Sequence, residues 1–179
     1  MELTEKRIAI LAENTYEDLE LWYPLMRMRE AGAKVHVIGM PGVEQYLSKH
    51  DYPVTVDAVA DAVRADDFHA VIIPGGYAPD RIRRHQPMLD LVRGIYENGG
   101  VVAMICHAGW VPASAGILKG KKVTSTGSIR DDLVNAGAEW VDQEVVVDDR
   151  LISSRKPDDL PAFCRAIIEA LQSASERLS

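Results

Sequence analysis

The chain has 179 residues, is 47% hydrophobic and 26% charged, and carries a formal net charge of −7. This suits one soluble domain over residues 1–179, long enough to bury a core without covalent staples. The acidic balance argues against nucleic-acid or anionic-lipid partners, two cysteines exclude a disulfide scaffold and point to a reducing, cytoplasmic setting, and no apolar stretch reaches the roughly 18 residues of a membrane span.

Residues 7–12 form a short apolar run and a buried strand. Leu19, Trp22, Tyr23 and Met26 then recur at helical spacing, which places a helix over 17–31 with Gly32 as its stop. A second strand follows at 35–39, and 44–57 read as a hairpin or irregular excursion. Residues 70–73 make a third strand closed by Pro74-Gly75-Gly76, 88–96 a helix, and 101–105 a fourth strand. These runs are continuously apolar rather than alternating, as parallel strands covered on both faces require. A small-residue helix is expected over 108–115, a strand at 122–125, a helix from 131 to 135, a solvated turn at 139–144, and two strands around Asp148-Asp149. Leu160, Phe163, Cys164, Ile167, Ile168 and Leu171 define the last helix, with Pro157-Asp158 at its start. The alternation gives an α/β class: a flavodoxin-like three-layer sandwich with a mostly parallel central sheet and helices on both faces. In such sheets, sites form beyond the carboxyl ends of the strands.

Cys106 and His107 stand at one such end, between a buried strand and a helix. A strand-to-helix turn lifts a side chain above the sheet, and a helix N-terminus favours thiolate over thiol. A thiolate is a nucleophile and a neighbouring imidazole can carry its proton. The other use of a cysteine here is as a small core residue. Gly75 and Gly76 end another strand and could offer N–H groups to a negative oxygen, or form an ordinary turn. In Glu17-Asp18-Leu19-Glu20 the carboxylates suit a first helical turn, and one of Glu17 or Asp18 could lean toward the sulfur. Cys164 belongs to the apolar face of the last helix. His36, His50, His69 and His85 make no metal-ligand spacing with the cysteines, and no Gly-x-x-x-x-Gly-Lys phosphate loop is present, so neither a metal nor a cofactor is expected.

In order and spacing, these segments resemble the ThiJ/PfpI superfamily, a branch of the class I glutamine-amidotransferase-like folds. The resemblance rests on residues 16–24, 73–80 (Ile73-Pro74-Gly75-Gly76-Tyr77-Ala78-Pro79-Asp80), Ile105-Cys106-His107, 115–121, 131–142 and Ser153-Ser154-Arg155. It implies that Cys106 is the nucleophile, Glu17 the glutamate that hydrogen-bonds to it, His107 its histidine, and Gly76 with the His107 amide the oxyanion hole shaped by Gly75. In the PfpI-like subgroup a glutamate from a neighbouring subunit completes a triad. The matching residue here is Asp80, one methylene shorter, contributed across an interface. Trp110 replaces part of the family's usual sequence after the histidine and is expected to line the substrate pocket. The resemblance also implies self-association as a dimer or larger assembly. The implied activity is glyoxalase- or deglycase-like chemistry on small reactive carbonyls, often tied to stress tolerance. Two alternatives remain open: an intracellular cysteine peptidase taking peptides, and a non-catalytic redox sensor built on Cys106.

Overall fold

The computed structural model describes residues 2–176. Eleven strands and six helices follow one another: β1 (Arg7–Leu11), α1 (Asp18–Glu30), β2 (Lys34–Gly39), β3 (Gln45–Leu47), β4 (Pro53–Thr55), β5 (Ala58–Val59), β6 (Ala70–Ile73), α2 (Ala78–Ile82), α3 (Gln86–Glu97), β7 (Val101–Ile105), α4 (Trp110–Ala115), β8 (Lys122–Val123), α5 (Arg130–Asn135), β9 (Glu139–Trp140), β10 (Val145–Asp148), β11 (Leu151–Ser154) and α6 (Leu160–Glu176). Seven strands form the central sheet in the order β10-β11-β7-β6-β1-β2-β5. Every neighbouring pair is parallel except β10 with β11. All residues of β6 and β7 are buried, which explains their unbroken apolar runs. Helices cover both faces, as in flavodoxin-like folds: α1 packs with α6, and α3 lies against β6 and β7 beside α4.

The hairpin expected at 44–57 is β3 and β4, paired antiparallel from Gln45↔Thr55 to Leu47↔Pro53. Three expectations need correction. Residues 108–115 are not one helix: a tight 3-10 turn, Cys106–Gly109, comes first and α4 follows. The strand expected at 122–125 is only the two residues of β8, and the turn expected at 139–144 begins with β9, which pairs in parallel with β8. Finally, in α1 the stripe that marks the helix in the sequence is not its buried face. Leu19, Tyr23 and Met26 are 56%, 40% and 55% exposed, while Glu20, Leu21, Pro24, Leu25 and Met28 face the core. The helix is apolar on two sides, and periodicity alone does not tell which of them is buried. Helix α2 was not foreseen because five residues carry no readable period.

From β1 the chain runs outward to β2, then returns to lay β6 on the opposite side of β1. The carboxyl ends of β1, β6 and β7 are therefore adjacent, at the point where an open α/β sheet leaves a crevice. No helix among the described residues is long and apolar enough to cross a membrane. The core predicts a sharp contrast. Phe163→Ala, at a fully buried position on α6, should cost about 3–5 kcal/mol in denaturant unfolding. Val147→Ala, at an exposed position on the edge strand β10, should stay within about 0.5 kcal/mol.

Candidate active site

The site begins with a backbone reversal. Ile105 ends β7 in extended conformation, and the next residue, Cys106, takes φ 62°. That left-handed conformation is unfavourable for a residue with a side chain and persists only where its surroundings impose it. It projects the half-buried Cys106 sulfur from the sheet edge. It also brings two sequence neighbours together: Cys106 Sγ lies 3.2 Å from His107 Nδ1. On the far side of the ring, Nε2 lies 3.1 Å from Ser128 Oγ. Ser128 belongs to the 3-10 turn Gly127–Ile129, which the Thr126 N–H ties to the Cys106 carbonyl at 3.2 Å.

The loop after β6 closes the second side. A side chain at Gly75 would strike the Glu20 carboxylate and approach Cys106 Cβ to 2.7 Å. Gly76 takes φ 79°, and a Cβ there would meet Glu17 N at 2.5 Å and Thr15 O at 2.6 Å. Only glycine lets this loop, the first helix and the elbow come so close. The amides of Gly76 and His107 both point at the sulfur. They are the two donors expected of an oxyanion hole, and here they converge on one atom.

The carboxyl facing Cys106 is Glu20, not Glu17. Glu17 is the N-cap of α1, and its Oε2 accepts from Glu20 N–H at 2.8 Å. A side chain engaged in this way satisfies an orphan donor of its own helix. Glu20, one turn further, is fully buried and accepts from Gly75 N–H at 2.8 Å. Its other oxygen, Oε1, has no hydrogen-bond partner among the described residues. Asp18 is also occupied, by Ser48 Oγ at 2.5 Å and His50 Nδ1 at 2.8 Å.

Asp80 does not meet His107 within the chain. It sits exposed on α2 with its carboxylate 3.6 Å from Arg84. Trp110 does adjoin the site: its ring centroid is 5.5 Å from that of His107, and its indole N–H donates to Asp132 at 2.8 Å. Thr15, Tyr77, Asp80, Arg81, Arg84 and Trp110 line a cavity of about 420 Å³. Among the described residues no cluster of three or more His, Cys, Asp or Glu side chains is gathered as for a metal.

Burial, then the nearby charge of Glu17, raises the Glu20 carboxyl to about 8. Burial, then the charge of Glu20, pushes the Cys106 thiol up to about 12 against the pull of the two amides. The resting sulfur is thus a thiol, contrary to the expectation from a helix N-terminus. The amides of Gly76 and His107 offset less than desolvation removes. Burial first, and Lys49 second, lower His107, leaving a neutral imidazole able to accept a proton. A ring with bare Nδ1 toward Sγ, and Nε2–H donating to Ser128, satisfies both contacts.

The model of the DJ-1/PfpI family matches residues 6–170. The chain belongs to the DJ-1/PfpI family. A deglycase of Thermococcus kodakarensis is 45% identical over 166 residues, 93% of this chain and 99% of that protein. Protein/nucleic acid deglycase 2 of Escherichia coli and the putative cysteine protease YraA of Bacillus subtilis are each 39% identical, over 93% of this chain and 98% and 99% of theirs. Among solved structures, DJ-1beta of Drosophila melanogaster superposes with a TM-score of 0.85 at 31% identity, covering 97% of both chains. A two-domain Anabaena variabilis protein, which joins a DJ-1/ThiJ/PfpI-like domain to a ferritin-like one, gives 0.91 at 38% identity over 93% of this chain and 48% of its own.

The buried carboxyl makes a stability prediction. An unfolded glutamate loses its proton near 4.5, whereas Glu20 in the folded chain keeps it to about 8. Between these values the folded state binds more protons, so this group's contribution to stability is full below 4.5 and is lost as pH rises through about 8. The stability of wild type minus that of Glu20→Gln should fall across this window and level off above it. Urea titrations at pH 5, 6, 7 and 8.5 measure the difference, and a flat difference would show an ordinary carboxylate.

Proposed function

We propose that the chain is an enzyme that uses Cys106 to turn small reactive carbonyls, 2-oxoaldehydes and their early adducts with amines or thiols, into hydroxy acids, as glyoxalases and deglycases do. One observation carries this reading: a half-buried sulfur 3.2 Å from a neutral imidazole, with a proton-bearing carboxyl and two amide donors around it. The deglycase names of the relatives support it.

The chemistry then runs as follows. As Cys106 Sγ bonds to the aldehyde carbon, its proton passes to His107 Nδ1. The carbonyl electron pair moves to oxygen, where the Gly76 and His107 amides receive it. Loss of the C1 proton and delivery of one to C2 oxidise C1 and reduce C2 within the same molecule, so no external oxidant enters. Water releases the resulting thioester as hydroxy acid and restores the thiol. Starting from an amine adduct, the free amine departs as well. His107 and Glu20 are the groups placed to move these protons, and Ser128 orients the imidazole.

Formation of lactate from methylglyoxal tests the reading. Cys106→Ala should abolish it. Glu20→Gln, which keeps the Gly75 contact but cannot exchange a carboxyl proton, should lower kcat by about 10²-fold. Glu17→Gln, which keeps an acceptor at the helix cap, should stay within about threefold. Turnover that survives Cys106→Ala would sink the proposal.

The putative cysteine protease among the relatives favours a second reading, peptide hydrolysis by an oligomer in which Asp80 reaches a neighbouring copy's His107. Casein cleavage that copurifies with an assembly and requires His107, without lactate formation, would put that reading first.

A further inference from the structure

The β3–β4 hairpin ends at the mouth of the site. Tyr16 is the hinge of this arrangement. It bridges Gly76 on one side in antiparallel sense and Ser48 on the other in parallel sense. Thr15 N–H donates to Leu47 O at 2.7 Å, and Lys49 N–H donates to Tyr16 O at 2.9 Å. The hairpin turn is tightened by Ser48 Oγ, which accepts from the N–H groups of His50 and Tyr52, each at 3.0 Å, and is anchored to Asp18 on α1. Bridged backbones lie about 4.8 Å apart, so the lysine at this tip starts about two such spacings from the oxyanion loop. Its four-carbon stem spans much of that distance.

The geometry points to Lys49 as a charge selector for the Cys106 site, one that favours carbonyl substrates carrying a negative group, carboxylate or phosphate, close to the reacting carbon. Three observations support this. Lys49 is exposed at the tip, and among the described residues its ammonium has no ion-pair partner, while Asp18, at the start of α1, is held by Ser48 and His50. Its charge reaches into the site, where it is felt by both Glu20 and His107. The chain as a whole carries −7, so an anion gains nothing from the bulk of the surface and depends on such local cations. For its substrate chemistry the inference rests on the small-carbonyl reading; its geometry is independent of it.

The test uses two electrophiles of nearly equal size, iodoacetate and iodoacetamide, with alkylation of Cys106 followed by mass spectrometry in wild type, Lys49→Met and Lys49→Arg. Whatever Lys49 does to the ionisation of the thiol acts on both reagents alike and cancels in their rate ratio. The ratio of iodoacetate to iodoacetamide should fall about 5- to 10-fold in Lys49→Met, stay near wild type in Lys49→Arg, and shrink toward the Lys49→Met value in high salt. In parallel, kcat/KM is compared for methylglyoxal adducts of N-acetylcysteine and of its neutral amide. Lys49→Met should penalise the carboxylate adduct, mainly through KM. An unchanged alkylation ratio, or failure of either reagent to reach Cys106, overturns the inference. A ratio that falls while neither adduct is turned over leaves the selector standing and removes the small-carbonyl enzyme. Turnover with an unchanged ratio does the reverse.

Discussion

Three backbone segments can meet around one sulfur only because one of them has no side chain. Gly75 brings the loop after β6 against both the Glu20 carboxyl and Cys106 Cβ. Without that approach Glu20 would lose the amide that satisfies one of its buried oxygens, and the Gly76 N–H would not reach Sγ. The rest of the site follows from the contact. A carboxyl buried this deeply holds its proton, and its acidic form does not repel a developing thiolate. The imidazole beside the sulfur is kept neutral by its own burial, so the base is ready at the neutral pH at which the acid is loaded.

The sheet topology makes this possible. Parallel strands deliver their carboxyl ends to one edge, and the reversal of strand order between β1 and β6 opens a crevice there. Each of three strands then contributes one element: β1 leads to the helix carrying Glu20, β6 to the glycine loop, and β7 to the elbow. The hairpin between β2 and β5 adds the rim, held to the same ladder through Tyr16. Strain at Cys106 is sustained because Ile105 before it and Ala108 two residues after it are locked in the core.

Much of this was legible in the sequence. Unbroken apolar runs at 70–73 and 101–105 announce buried parallel strands, and Cys106-His107 directly after the second marks a strand-end cysteine with an imidazole beside it. The carboxyl was misread by one turn. Glu17 came from the resemblance, and Glu20 was not singled out: Leu19, Tyr23 and Met26 form a regular stripe that leaves Glu20 off it. A signal was present: Glu20 falls in the other stripe, with Leu21, Leu25 and Met28, where a charged residue has no ordinary reason to be. Ser128 and Lys49 gave none, because a serine in a turn and a lysine in a hairpin have the composition of any solvated loop. Only tertiary contacts, Thr126 to Cys106 in one case and Lys49 to Tyr16 in the other, bring them to the site.

Cys106 and Glu20 share one desolvated environment, and the Glu20 charge raises the proton affinity of the thiol. This coupling is tested most directly by the pH dependence of iodoacetamide alkylation at Cys106 in wild type and Glu20→Gln. The wild-type inflection should lie well above the ordinary thiol value, toward about 12, and move downward in Glu20→Gln, which removes the charge that opposes ionisation. An inflection at or below about 8.5 in wild type, or one that ignores the Glu20 substitution, would contradict it.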